Sequence, residues 1–167
     1  IIHKQENVGA VELATMSFGQ SFQITPVQML RAVAAIVNGG KLVTPHFGLY
    51  TSSSDGSVVN EFAYSTEEEA ISLQTSEMMK QILEGVVSEG GGTKAYIEGY
   101  SIGGKTATSQ KLPRGSGKYI SSFIGFAPAE NPQVIAMCLI DEPTGVYYGG
   151  TIAAPVVKTL YENILPY

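Results

Sequence analysis

The chain has 167 residues, and 44% of them are hydrophobic, which is enough to bury the core of one domain spanning residues 1–167. Its formal net charge of -5 excludes the basic stripe that a nucleic-acid-binding surface needs. No apolar stretch approaches the roughly 20 residues of a membrane span. The sequence starts at Ile1 without an initiator methionine, so we expect it to have been cut from a longer protein.

Two helices are predicted in the first quarter of the chain, the shorter one at "VGAVELATMSFGQ". The longer one lies in "ITPVQMLRAVAAIVNGG", where Thr25 is a suitable N-cap, Pro26 suits the first helical position and Gln28 completes a capping box. Its apolar stripe comprises Val27, Leu30, Val33, Ala34 and Val37.

The next segment, residues 41–63, is predicted to be extended, with a hairpin turn at "SSSDGS". The acidic run "TEEEA" then indicates a solvated segment, since nothing near it completes a set of metal ligands. A further helix is expected from Leu73 to Ser88, capped by Ser72 and ended by "EGGGT". Its apolar face is predicted to consist of Met78, Met79, Ile82, Leu83, Val86 and Val87.

Three strands follow, at about 100–110, 118–127 and 133–142, and their short connections predict an antiparallel sheet. A last helix, at about 151–164, carries Ile152, Val156, Leu160 and Ile164 on one face. The order of elements predicts an α+β fold in which this sheet packs with helices beside a small hairpin. The single cysteine, Cys138, lies in an apolar run, which favours a buried thiol over a reactive one.

One strand, "GGKTATSQ" at residues 103–110, has a composition that strands normally avoid, because glycine packs nothing there. Side chains alternate along a strand, so Lys105 and Ala107 point one way while Thr106 and Thr108 point the other. On an edge strand, the free backbone groups could bind an extended peptide, and the lysine and threonines could hold its carboxylate.

Four of the ten cations lie within this region, and together they could form a positive field for an anionic ligand: Lys105, Lys111, Arg114 and Lys118. The alternative, which the spacing favours, is an exposed strand and turn carrying solubilising lysines.

Three segments in the same order resemble the transpeptidase domain of penicillin-binding proteins. They are "ELATMSFGQSFQITPVQMLRAVAAIVNGGKLVTPH", "GGKTATSQ" with the following "SSFIGFAPAENPQVIAMCLIDEP", and "GVYYGGTIAAPVVKTLYENILPY". The resemblance is closest to class B enzymes, with the sporulation-linked type as one candidate. It implies the C-terminal portion of a serine β-lactamase-like fold.

Enzymes of that family use three motifs, S-x-x-K with the nucleophilic serine, S-x-N, and K-T-G on a substrate-binding strand. The sequence Lys105-Thr106-Ala107 resembles the third. By that resemblance, Lys105 balances charge in the site, Thr106 and Thr108 bind the terminal carboxylate, and the Thr108 N–H forms half of an oxyanion hole. The family's glycine is replaced by Ala107, so we expect a tighter fit there against the catalytic helices.

The other two motifs are absent from the sequence. No lysine has a serine three residues before it, and no asparagine has a serine two residues before it. Neither His3 nor His46 belongs to a visible serine–histidine–acid arrangement, so neither is expected to be a general base. We therefore expect a chain that binds an acyl donor but is inactive alone, because its nucleophile is missing.

Two functions remain open from the sequence. The first is the substrate-binding part of a peptidoglycan D,D-transpeptidase that acts on stem peptides ending in D-Ala-D-Ala and is acylated by β-lactams. The second is a non-catalytic module that uses the same fold to bind a cell-wall peptide or a protein.

The resemblance also bears on the setting of the chain. It implies no cofactor and no metal, and a longer parent anchored by an N-terminal segment on the outer face of the bacterial cytoplasmic membrane. In the family, N-terminal strands pair with the outermost of the three, so 133–142 is expected to be an open edge through which the truncated chain dimerises.

Overall fold

The computed structural model of the chain describes residues 4–20, 22–113 and 115–167, so His3 and Arg114 lie outside the described residues. The elements in chain order are α1 (Ala10–Met16), α2 (Pro26–Val37), β1 (Lys41–Leu42), β2 (Tyr50–Ser52), β3 (Val58–Glu61), β4 (Glu67–Glu69), α3 (Leu73–Ser88), β5 (Gly103–Gln110), β6 (Tyr119–Ala127), β7 (Val134–Asp141), α4 (Gly149–Ile152) and α5 (Ala154–Ile164). Across those three described ranges, no helix combines the length and the apolar character needed to cross a membrane.

Helices α2 and α3 start at the capping residues that the sequence predicts. The Thr25 hydroxyl accepts a hydrogen bond from the Gln28 N–H, while the Gln28 side chain accepts one from the Thr25 N–H at 2.8 Å. At the start of α3, the Ser72 hydroxyl accepts from the Thr75 N–H. These side chains satisfy amides that the first turn of a helix leaves without partners.

Two small sheets lie between α2 and α3. The predicted hairpin is present as β2 and β3, and Asp55 accepts hydrogen bonds from Ser53 and Ser57 in its turn. Within the acidic run "TEEEA", residues Glu67–Glu69 form β4, which pairs with β1. A strand of three glutamates was not predicted, since its pairing depends on a partner that lies about 25 residues earlier in the sequence.

The main sheet has the order β5-β6-β7, and both pairs of neighbouring strands are antiparallel. Thr106 lies opposite Phe123 on β6, and Phe123 lies opposite Cys138 on β7. The three predicted strands and the α+β class are therefore confirmed, and β5 and β7 are the two edges of this sheet.

One face of the sheet packs against the C-terminal helix. Phe123, Val157 and Tyr161 are the large buried residues of this core, and the Tyr161 hydroxyl donates a hydrogen bond of 2.6 Å to the carbonyl of Gly125. Burial in this core raises the pKa of Tyr161 far above its ordinary value. Cys138 packs at its edge and is half-buried rather than enclosed, and its burial raises the pKa of the thiol.

The buried face of the last helix differs from the predicted one. Val156, Leu160 and Ile164 are exposed, whereas Ala154, Val157 and Tyr161 are buried. Both sets have helical spacing, so periodicity could not decide between them. The small Ala154 and the hydrogen-bonded Tyr161 fit against the sheet, and Ala153 divides the predicted helix into α4 and α5.

The opposite face of the sheet packs against α2 and α3, around Val37, Leu83 and Phe126. Here the predicted apolar face of α3 is partly wrong, because Met78 and Ile82 are more than half exposed. Ser76 and Lys80 are buried in their place.

Both of these polar residues have partners that offset the cost of burial. Ser76 accepts a hydrogen bond from the Gly39 N–H, and Lys80 donates one of 2.8 Å to the carbonyl of Glu130. Lys80 also forms an ion pair of 2.9 Å with Glu77. Those partners lie far away in sequence or depend on a long side chain, so helical periodicity did not reveal them.

Candidate functional site

The two glycines of "GGKTATSQ" are explained by aromatic rings of the neighbouring strand. A Cβ atom on Gly104 would lie 2.5 Å from the ring of Phe123, and one on Gly103 would overlap the ring of Phe126. Each ring lies across β5 and fills one of the two cores. The two glycines therefore make room for rings of the core, at the residues just before Lys105.

The next residues of β5 divide between the two faces of the sheet, as the alternation predicts. Thr106 shares the face of Phe123, which is covered by the C-terminal helix, and Thr108 follows on the same face. Lys105 lies opposite Ile124 and Ala107 opposite Ser122, so both belong to the face of Phe126. The lysine and the threonines thus lie on opposite sides of one strand.

The backbone of β5 offers hydrogen-bonding groups at its free edge. The Lys111 N–H donates to the Lys118 carbonyl, and the same register continues through β5 and β6. Bonded and non-bonded pairs alternate in an antiparallel ladder, so the amides of Thr106 and Thr108 point away from β6. Lys105 Nζ already donates to one such outward group, the Thr106 carbonyl, at 2.8 Å.

A pocket of about 300 Å³ adjoins this edge on the side of the threonines. It is lined by Gly91, Thr93, Lys94, Thr106, Ala107, Thr108, Tyr148, Gly149, Gly150 and Thr151. Of these residues, only those of β5 were predicted from the sequence. The Gly-Gly pair after two tyrosines was a usable signal, because such pairs mark places where backbones approach closely.

Gly149 is the point where α4 meets β5. Its N–H donates a hydrogen bond of 3.1 Å to the Thr108 hydroxyl. A Cβ atom there would overlap the carbonyl oxygens of Ala107 and Ser122, so no larger residue fits. The preceding residues are held as well, since the Ser121 hydroxyl donates to the Tyr147 carbonyl and the ring of Tyr147 stacks on Tyr119 at 4.1 Å.

Two lysines of the predicted positive field are neutralised by acidic residues. Lys111 pairs with Asp141 at 2.9 Å and with Glu142 at 2.7 Å, and Lys118 pairs with Glu142 at 2.9 Å. Hydrogen bonds from Lys111 and Lys118 lower the pKa of Glu142 to about 2, and those to Glu142 and Asp141 raise the pKa of Lys111. The ion pairs of these two lysines therefore join the β5–β6 turn to the end of β7.

His46 does not line this pocket and lies in the loop between β1 and β2. Its ring is exposed and stacks on Tyr64 with centroids 3.6 Å apart, and Nδ1 lies 2.7 Å from the Thr44 carbonyl. His46 is therefore a surface imidazole.

Beside Lys105 and Ala107, one face of the sheet is partly exposed. Helices α2 and α3 pack on the end of this face at Phe126 and Ile135. Lys105 and Ala107 are exposed at the other end, and Leu139 on β7 is 43% exposed there. The described residues thus leave open the side of β5 to which its lysine belongs.

Comparison with known proteins agrees with this geometry. The family model for the penicillin binding protein transpeptidase domain matches residues 2–162. Stage V sporulation protein D of Bacillus subtilis is 41% identical over 99% of this chain, and a probable peptidoglycan D,D-transpeptidase, PenA, of Neisseria meningitidis serogroup B is 38% identical over 93%. The chain spans about a quarter of the length of each, 26% in both cases.

Solved structures of the same kind share the fold. The transpeptidase domain of Burkholderia pseudomallei penicillin-binding protein 3 superposes with a TM-score of 0.81 at 30% identity, covering 99% of this chain and 49% of that one. Penicillin-binding protein 3 of Mycobacterium tuberculosis gives 0.86 at 28% identity, covering 99% and 40%. The chain therefore belongs to the penicillin-binding protein transpeptidase domain family, of which it carries the part with the K-T-A strand.

Proposed function

We propose that the chain is the C-terminal, substrate-binding part of a peptidoglycan D,D-transpeptidase domain. One observation carries the proposal: in a member of this family, β5 is an edge strand with free amides, and its lysine and threonines lie on opposite sides of it. An extended stem peptide can pair with such an edge while its end is held by side chains.

Each residue of the strand then has a distinct role. Thr106 and Thr108 bind the terminal carboxylate of a D-Ala-D-Ala peptide or of a β-lactam, and the outward N–H of Thr108 donates to the oxyanion. One such donor contributes roughly 3 kcal/mol in other acyl-transfer enzymes. Lys105 belongs to the open side of the sheet, where it faces the place of the nucleophile and balances its charge.

The serine nucleophile must come from a segment outside this chain, because neither S-x-x-K nor S-x-N occurs in it. The exposed part of this sheet face, beside Lys105 and Ala107, is the surface that we assign to that segment. Lys105, Ala107 and Leu139 are exposed there, which supports this assignment.

A chimera tests the proposal. This chain replaces the matching region of the Bacillus subtilis relative, and labelled penicillin is added to the chimera and to the chain alone. We expect a covalent adduct with the chimera, a slower one with its Lys105→Ala variant, and none with the chain alone. A stoichiometric adduct on the chain alone, or a folded chimera that is never acylated, would contradict the proposal.

The alternative of a non-catalytic module is not favoured, since relatives of this chain are named as D,D-transpeptidases. One solved relative, penicillin-binding protein 3 of Mycobacterium tuberculosis, is known in complex with aztreonam and with ampicillin. Binding of β-lactams by a protein that contains this chain is part of the proposal.

The proposal also covers the location and the assembly of the protein. We propose that the domain works on the outer face of the bacterial cytoplasmic membrane, held there by a segment outside this chain, because peptidoglycan is cross-linked on that side. By itself, the chain is expected to dimerise through the free edge of β7.

A further inference from the structure

The pocket beside β5 contains a lysine that the K-T-A strand does not supply. We propose that Lys94 provides the positive charge that attracts the terminal carboxylate of the acyl-donor peptide to Thr106 and Thr108, and so selects peptides with a free C-terminus. The inference rests on the proposed function and adds to it a residue from outside β5.

The position of Lys105 leaves this task open. Its residue pair with Ile124 puts it on the face of the sheet away from the threonines, and its Nζ donates to the Thr106 carbonyl at 2.8 Å. An ammonium group held on that side can balance the charge of the nucleophile, which the proposed function locates there. A carboxylate on the threonine side therefore needs another cation, since hydroxyl groups supply hydrogen bonds but no charge.

Lys94 meets this need because it lines the same pocket as both threonines. It lies in the 3-10 turn Thr93–Ala95, between the buried Gly92 and Ala95, whose side chain is fully buried. The Tyr96 N–H closes the turn on the Thr93 carbonyl at 3.1 Å. The backbone of Lys94 is thus fixed at the rim of the pocket, although its side chain is exposed.

The charge of Lys94 is also uncompensated within the described part of the chain. Ion pairs with acidic side chains occupy Lys4, Lys80, Lys111, Lys118 and Lys158. Over residues 4–20, 22–113 and 115–167, Lys94 makes no such pair, in a protein whose net charge is -5. None of the described residues that line the pocket is acidic, so its local charge is positive.

The remaining lining suits the end of a peptide. Thr93, Thr106 and Thr151 carry hydroxyl groups, and glycine backbones form the wall between them. A Cβ atom on Gly150 would lie 2.5 Å from the Gly91 carbonyl oxygen and 3.1 Å from Thr106 Cγ2. The wall is therefore closed by backbone at that point, and polar donors and one cation converge on an opening of about 300 Å³.

A titration followed by NMR tests the inference on the chain as it is, because every group of the pocket belongs to it. N-acetyl-D-alanyl-D-alanine is added to the ¹⁵N-labelled chain while the amides of Thr106, Thr108 and Thr151 are followed. The same dipeptide with its C-terminal carboxylate converted to an amide serves as the uncharged probe. We expect Lys94→Gln to weaken binding of the acid about five-fold, the effect of one charge at contact distance in water, and to leave the amide unaffected.

Two variants control for structural effects. Lys94→Arg keeps the charge and should retain most of the affinity. Lys41→Gln removes another exposed lysine, one that makes no ion pair with the residues the structure describes, and should change nothing. Equal affinities of the Lys94→Gln variant and the parent would overturn the inference, as would equal binding of the acid and the amide. Chemical-shift changes confined to amides outside the pocket would also overturn it. None of these results bears on acylation of the chimera, which tests the proposed function separately.

Discussion

The hydroxyl oxygen of Thr108 accepts a hydrogen bond of 3.1 Å from the backbone N–H of Gly149, so the middle of β5 is joined directly to the start of α4. The bond fixes the threonine side chain on the pocket side of the strand. It also brings the backbone of α4 so close to the sheet that position 149 has no room for a side chain.

Gly149→Ala is therefore expected to destabilise the chain. Its methyl group would overlap the carbonyl oxygens of Ala107 and Ser122, and overpacking of this kind typically costs about 1–3 kcal/mol. Gly85→Ala is the matched control, since Gly85 lies within α3 and a Cβ there would meet nothing within 4 Å. Alanine should stabilise that helix by about 0.5–1 kcal/mol. Urea unfolding measures both changes, and a Gly149→Ala variant as stable as the parent would contradict this packing.

Acid is expected to weaken the ion pairs that join the β5–β6 turn to β7. Lys111 and Lys118 lower the pKa of Glu142 from its ordinary 4.5 to about 2. A group whose pKa is lowered by folding stabilises the protein fully above its unfolded pKa, and this stabilisation is lost as the pH falls through the folded one. The free energy of unfolding should therefore decline between about pH 4.5 and pH 2, and less steeply in Glu142→Gln.

Glu98→Gln provides the control for this pH dependence. Glu98 is exposed and has no ion pair within the three described ranges, so this variant controls for the loss of one surface carboxylate. Since the ion pairs of Glu142 are open to solvent, added salt should also reduce the difference in unfolding free energy between the parent and Glu142→Gln. Parallel pH curves for the parent and Glu142→Gln would show that the ion pairs contribute nothing to stability.

Local rules predicted much of this molecule. The capping box at Thr25 and Gln28, the hairpin at Asp55 and the three long strands depend on residues close together in sequence, and all are present. The alternation along "GGKTATSQ" also placed Lys105 and Thr106 on opposite faces of β5, as the register has them.

Features that depend on distant partners were not predicted. Two faces of α5 had equal periodicity, and the sheet selected the one with Tyr161, whose hydroxyl reaches Gly125. Likewise, Lys94 lies 12 residues before Thr106, and nothing local indicates that a turn returns it to the same pocket. The ion pairs of Lys111 were missed for the same reason, because their acidic partners lie about 30 residues later.

The alanine of the K-T-A motif gives a prediction that differs between the chain and a completed domain. In the chain alone Ala107 is exposed, so Ala107→Val should change its stability by no more than a few tenths of a kcal/mol. Ala107→Gly should cost about 0.5–1 kcal/mol there, the usual cost of glycine within a strand. In the chimera we expect a helix to pack there, and valine should then slow acylation or cost about 1–3 kcal/mol, while glycine is tolerated. Equal acylation and stability of the two variants in the chimera would mean that the gap beside Ala107 is roomy.

The open edge of β7 should make the isolated chain self-associate. The Glu142 N–H donates to the Tyr119 carbonyl, and the same register runs along β6 and β7. By the alternation of bonded pairs, the amides of Ile135, Met137 and Leu139 therefore point away from the sheet. A row of free amides beside apolar side chains readily pairs with another strand, here in a second copy across a two-fold axis.

Light scattering at micromolar concentration measures this association, and two matched variants locate it. Leu139→Lys puts a charge at the edge, where Leu139 is 43% exposed, and should give a monomer. Leu160→Lys removes a leucine of similar exposure, 45%, from α5 and should leave the dimer intact. A parent chain that is monomeric with fast amide exchange along β7 would refute self-association. Slow exchange in a monomer would mean that another part of the chain covers the edge in solution.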